Sequence, residues 1–209
     1  MNHTVGLKHL QAASQQSGVD VNLEWLPFLL NPNMPEEGED IKEHLIRKYG
    51  PSAAQRFNDP NSQLRKMGRD VGIEFTNDRK AVNTKRAHAL MEYIKEKDND
   101  LANEFMEDMY KAYFVHGKDI NDPTILKEIA IQEKYNKVIE GREELIINAM
   151  RDDYVAAVSK QADSIRSKFG ISGVPFFMVH PNKGGTPVAF SGAYPVDIIA
   201  EQLEIAAEE

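Results

Sequence analysis

"ISGVPFFMVH", Ile171 to His180, reads as a buried β-strand with Gly173 and Pro175 at its mouth. Proline cannot donate to a sheet ladder, so it is confined to strand edges and first positions, or it occupies a cis bond at a turn that the fold requires. Two readings of Pro175 follow: the terminator of an edge strand, or a cis turn with a purpose. Downstream, the loop "HPNKGGTP" has the glycines needed to reverse the chain, and "VAFSGA" supplies a second strand. Pro195 then opens a closing helix that carries Ile199, Leu203 and Ala206 on one side.

Working back from that strand, the apolar residues Val155, Val158, Ala162, Ile165 and Phe169 form a helical stripe that stops at Gly170. A second stripe runs through Leu101, Phe105, Met109 and Ala112, and a third through Ala87, Leu90, Met91 and Ile94. Breaks fall at Pro51, Pro60, Gly72, Gly117, Pro123 and Gly141. Val5 to Ser17 reads as a helix ending at Gly18, and "VDVNLEWLPF" alternates in the manner of a half-buried strand over 19–28. Strands at both ends with helices between them predict one α/β sheet domain, residues 1–31 and 169–209. A helical insertion over 32–168 interrupts it, and the last helix of the insertion leads back into the sheet. No internal repeat or low-complexity linker separates the two parts.

Composition narrows the function classes. With 209 residues and 41% apolar content the chain can bury a real core, and a net charge of −8 argues against a nucleic-acid surface. No stretch approaches the ~18 apolar residues of a membrane span, and "MNHTVGLKHLQAAS" has no apolar signal region. The expectation is a soluble, cytoplasmic protein with neither nucleic-acid nor membrane partners. The cysteine count is zero, which excludes disulfides, thiolate metal sites and a cysteine nucleophile in these residues. His3, His9, His44, His88, His116 and His180 show no H-E-x-x-H or comparable spacing, so no metal site is expected. There is no G-x-S-x-G elbow. Asp152 and Asp153 are adjacent, and on a helix they point ~100° apart, too divergent for a facing acid–base pair.

"GVPFF" followed by a hairpin, "SGAYP" and a final helix resembles the cis-proline half of a thioredoxin fold. "WLPFLLNPNMPEEG", "VNTKRAHALMEY" and "KAYFVHGKDINDPTILKEIA" resemble, in the same order, stretches of the FrnE-like branch of the DsbA family. Members of that branch are thioredoxin-like dithiol–disulfide oxidoreductases with a helical insertion. The resemblance implies that Val174 and Pro175 line a groove where backbone groups beside the cis-proline pair with an extended thiol or disulfide peptide. It places His3 and Thr4 at the helix end opposite, and Asn83 and His88 facing the cleft. No cofactor is implied; glutathione fits as a ligand, and a homodimer is an assembly the family allows.

The departure from that family is as informative. FrnE-like proteins have a C-P-W-C motif shortly before the glycine that corresponds to Gly6. In this register the second cysteine falls on His3 and the first lies one position before Met1. Thiol–disulfide exchange needs an attacking thiolate, so these residues alone are not expected to catalyse it. The same register leaves out the family's first, central β-strand, whose neighbours would then show unpaired backbone groups. Three explanations stand: a start site placed too far downstream, a truncated paralogue, or a sheet closed by a strand from another molecule. Kappa-class glutathione transferases and related isomerases offer an alternative chemistry, but they use a serine where this chain has His3-Thr4. A non-catalytic peptide-binding protein is the remaining alternative.

Overall fold

The computed structural model describes residues 2–135, 143–182 and 184–208, the side chains of 2 and 143–145 aside. Helix α1 (Asn2–Ser17) opens the chain, and an extended segment follows to about residue 29. Two short strands, β1 (Glu39–Asp40) and β2 (Lys80–Ala81), pair antiparallel across the helices α2 (Ile41–Tyr49), α3 (Pro51–Asn58) and α4 (Gln63–Asp70). Then come α5 (Lys85–Lys95), α6 (Asn99–Tyr110), a π-helical turn (Lys111–Val115), α7 (Pro123–Ala130), a 3-10 turn (Glu133–Tyr135), α8 (Glu143–Ala149) and α9 (Asp152–Phe169). The hairpin of β3 (Phe176–Val179) and β4 (Val188–Ser191) precedes the closing helix α10 (Val196–Glu208).

Local chemistry explains where these helices start and stop. The Asp40 carboxylate accepts from the backbone N–H groups of Lys42 and Glu43, and Asp98 does the same for Asp100 and Leu101. Pro51 and Pro123 sit in first turns, where a missing N–H costs nothing. Helix α9 ends at Gly170, whose left-handed φ of 62° suits glycine. The expected break at Gly141 lies outside the described residues, as does Lys183 of the hairpin loop.

Packing separates the molecule into a large helical core and a small sheet-bound one. Leu90, Met91, Ile94, Phe105, Leu126 and Tyr135 are fully buried where α5 to α8 meet. The second core joins Leu10 and Ala13 of α1 to Ile199, Ala200 and Leu203 of α10, with Phe177, Val179 and Phe190 of the hairpin packed against it. His9 Nδ1 lies 2.7 Å from the Tyr194 carbonyl and ties α1 to the turn before α10.

One expectation needs correcting. Residues 19–28 are extended but belong to no ladder among the described residues. Their carbonyls are instead taken by side chains: Ser14 Oγ donates to Val19 O (2.7 Å), Asn99 and Asn103 donate to Leu23 O (2.8 and 3.0 Å), and Lys95 Nζ donates to Trp25 O (2.7 Å). Arg166 donates to Leu29 O. Alternation in a sequence reports which side chains become buried. It does not report whether another strand lies alongside.

Candidate functional site

The site begins at the mouth of β3. The Val174–Pro175 peptide bond is cis, and Pro175 is buried. Helix α1 meets it through Gly6: a Cβ added there would lie 3.1 Å from Cγ of Pro175 and 3.2 Å from the Phe177 ring. Glycine therefore does at position 6 what no other residue does without displacing a neighbour, letting the first turns of α1 rest on the proline turn.

Around that contact lies a layer of rings from both cores. The His3 ring centroid is 5.9 Å from that of Tyr110, and Trp25 meets Tyr110 edge-on at 5.7 Å. His88, on α5, hydrogen-bonds the Phe28 main chain and is close enough to His3 to act on the charge of that ring. Burial holds the His3 imidazole down at about 3, with His88 adding to the effect, and holds His88 at about 4. Both rings keep a margin of accessible surface, but packed apolar and aromatic neighbours set their behaviour. Burial likewise drives the Tyr110 hydroxyl well above its ordinary value. Both histidines are therefore neutral near pH 7.

Three polar atoms in this layer are buried without a hydrogen-bond partner among the described residues: His3 Nδ1, Thr4 Oγ1 and Trp25 Nε1. Buried donors and acceptors are nearly always satisfied in folded proteins, and these three share one neighbourhood.

Of the residues expected at the site, His3 and His88 come within electrostatic reach of each other, and Pro175 rests against Gly6, on the same helix as His3 and Thr4. Asn83 Nδ2 donates to Met34 O (2.8 Å) and its Oδ1 accepts from Lys85 N–H (3.0 Å), so the side chain pins the loop before β1 to the start of α5. Trp25 and Tyr110 were not singled out by the sequence reading. Trp25 could have been, as the chain's one tryptophan in an otherwise alternating segment. Tyr110 gave no such signal, since its position depends on the turn that follows it.

Two surface depressions lie elsewhere. One of about 650 Å³ is lined by Asn22, Glu24, Lys95, Asp98 and Asp100, another of about 480 Å³ by Tyr93, Arg151 and Tyr154. Neither is lined by His3, Thr4, His88 or Pro175, and among the described residues no cluster of metal-ligating side chains occurs. No described helix is long and apolar enough to cross a membrane.

Comparison with known proteins agrees with this architecture. The crystal structure of a "probable DsbA oxidoreductase" from Streptomyces coelicolor superposes with a TM-score of 0.76 at 22% identity, over 100% of this chain and 86% of that one. No curated protein matches the chain. The family model for the DSBA-like thioredoxin domain matches residues 4–204. A sheet corner closed by α1 and α10, a cis-proline turn against the first helix and a helical block between the two sheet-domain segments are thus the parts of a protein that belongs to the DSBA-like thioredoxin domain family.

Proposed function

We propose that this chain is the ligand-binding body of a FrnE-like, DsbA-type thiol–disulfide protein, and that its own residues bind an extended peptide or a glutathione-like thiol without performing disulfide exchange. The observation that carries this reading is the contact of Gly6 with Pro175, beside the unpartnered His3 Nδ1 and Thr4 Oγ1. A helix N-terminus offers free N–H groups and a partial positive charge, and the main chain beside Pro175 offers peptide-pairing groups. The two meet where His3 and Thr4 still lack partners.

The chemistry stops at binding because the described residues contain no thiol. A thiolate must attack a disulfide sulfur for exchange to proceed, and neutral imidazole and hydroxyl groups do not replace it. His3 and Thr4 act here as hydrogen-bonding groups that orient a ligand. His88, neutral and bonded to the Phe28 main chain, fixes the facing wall. The two parts of the chain form the groove together: residues 1–31 and 169–209 supply the thioredoxin-like side, and residues 32–168 supply the helical cover. A kappa-class glutathione reaction has no specific support, because Thr4 rather than serine stands at the helix start.

Calorimetric titration with glutathione and with a short extended peptide, run beside an insulin-reduction assay, tests the reading. Saturable binding that is weakened in Thr4→Val, together with insulin reduction at the uncatalysed rate, is expected. Turnover above that rate, or no binding of either probe, overturns it.

A further inference from the structure

Charge is unevenly placed along the chain. Residues 41–70, which form α2, α3 and α4, hold seven Lys and Arg against three Asp and Glu, a net of +4 within a chain of −8, so the remaining residues together carry −12. The basic lobe is held as one unit. Helices α2 and α3 pack against each other across Gly50, and Arg69 of α4 donates to the Pro60 carbonyl (3.0 Å) in the turn after α3. Internal pairing neutralises little of this charge: Arg47 and His44 share Glu39, whereas Lys42, Arg56 and Lys66 are exposed and form no ion pair among the described residues.

A surface helix ordinarily turns its polar and charged groups outward. The outer face of α2 mixes them with apolar ones. Lys42, Ile46 and Tyr49 follow the i, i+4, i+7 spacing of a single stripe, and Ile46 and Tyr49 are 45% and 53% exposed. The Lys48 ammonium lies 5.4 Å from the centre of the Tyr49 ring and donates to Asn31 Oδ1, which holds the cation beside the stripe. Both ends of the helix are fastened, by the Asp40 cap at its start and by Gly50 N–H donating to Ile46 O at its end. The stripe is therefore a fixed arrangement of two cations and two apolar side chains, set in a field of further unpaired cations.

We infer that this face of α2 is a docking surface for an acidic segment of another polypeptide, one that carries Asp and Glu around an apolar anchor. Its carboxylates pair with Lys42 and Lys48, and its anchor packs on Ile46 and Tyr49. Complementary charge sets the approach and register, while the apolar contact supplies the part of the affinity that salt does not screen. A nucleic-acid duplex or an anionic membrane is a poorer occupant, because each presents a polyanionic surface far longer than a nine-residue helix and would meet the acidic remainder of the chain. A second copy of this chain brings a net charge of −8 toward another −8. The surface shares no residue with the site at Pro175, so the two stand or fall separately.

The test uses the full chain and a fluorescein-labelled helical peptide of glutamate and alanine, with leucine at every third or fourth position. The expected result is a saturable anisotropy change whose affinity falls at least about tenfold between about 50 and 300 mM salt. Lys42→Glu reverses an exposed, unpaired charge in the first turn of α2, where a carboxylate suits the helix dipole, and is expected to weaken low-salt binding at least about tenfold. Tyr49→Ala is expected to weaken it at both salt concentrations, which loss of a diffuse field would not do. Lys160→Glu makes the same charge change at an exposed position of α9, outside the lobe, and should leave the affinity within about twofold. If circular dichroism shows Lys42→Glu unfolded, Lys66→Glu carries the same test. Absence of saturable binding, an equal loss in Lys160→Glu, tighter binding of duplex DNA or phosphatidylserine vesicles than of the peptide, or self-association of the chain that Lys42→Glu abolishes would each overturn the proposal.

Discussion

The helical core and the sheet corner are built from similar residues and differ in how completely they close. Phe105 and Leu90 sit at 0% exposure, with Tyr135 beside them, its hydroxyl donating to Asp108 at 2.6 Å. In the corner, Phe177, Val179 and Phe190 keep part of their surface open although Phe177 and Phe190 stack at 5.0 Å. Helices satisfy their own backbones, so a bundle closes as soon as its stripes meet. A sheet depends on neighbours for its hydrogen bonds, and among the described residues the β3–β4 hairpin pairs with no further strand.

That contrast can be broken most directly at its centre. Phe105→Ala is expected to cost about 3–5 kcal/mol in urea denaturation, and Phe177→Ala clearly less, because a half-open site leaves less of a cavity. Equal losses would mean that the corner is as well packed as the bundle. Lys95 links the two regions: its ammonium lies 2.9 Å from Glu92 and donates to the Trp25 carbonyl, with side-chain exposures of 12% and 7% for Lys95 and Glu92. Lys95→Ala strands a buried carboxylate and releases the extended segment, so a loss of about 3 kcal/mol is expected, with Trp25 emission shifting to the red. A loss below about 1 kcal/mol would show that the segment is held without the Lys95 ammonium.

Gly6→Val sharpens the comparison from the corner's side. The added branches meet Pro175 and Phe177 at close range, and overpacking of this kind costs about 1–3 kcal/mol. Gly6→Ala is expected to give no net gain even though alanine favours a helix by about 1 kcal/mol, a cancellation that thermal melts can read. The last effect concerns pH. His3 and His88 have folded-state values near 3 and 4, below the ordinary 6.5, so the unfolded chain binds more protons as pH falls. Stability from these groups is present above about pH 6.5 and is lost progressively as pH falls from there toward 4 for His88 and 3 for His3. His88→Gln should flatten that slope, and an unchanged slope would mean that His88 titrates normally.

Much of this was legible in the chain. Three-four spacing found the stripes of α5, α6 and α9, because a helix's burial pattern comes from its own geometry. Gly-Val-Pro at the head of an apolar run located the turn against α1. What could not be read was which backbone groups would find partners: residues 19–28 have the alternation of a strand, yet side chains from α1, α5, α6 and α9 do the bonding. The hydrogen bonds of Asn83 were not legible either, because a polar residue before a helix serves equally well as a loop tie or as a cleft residue. Tyr110 and Trp25 joined the site through ring contacts across 85 residues of sequence, a distance that no local pattern spans.

The π turn at Lys111–Val115 has a consequence for chain length. Such a turn is an α-helical turn holding one surplus residue, here closed by His116 N–H donating to Lys111 O at 3.1 Å. The surplus rotates everything after it by roughly 100° relative to an uninterrupted helix. Before it, Tyr110 faces His3 and Trp25; within it, Tyr113 and Phe114 close over the Arg79 guanidinium at 4.8 and 5.3 Å. One continuous helix can thus serve two neighbours that a regular spiral would not reach together. The quantity under constraint in this stretch is the number of residues: deleting one, whichever it is, moves one ring set out of phase, whereas exchanging any single side chain leaves the other contacts in place.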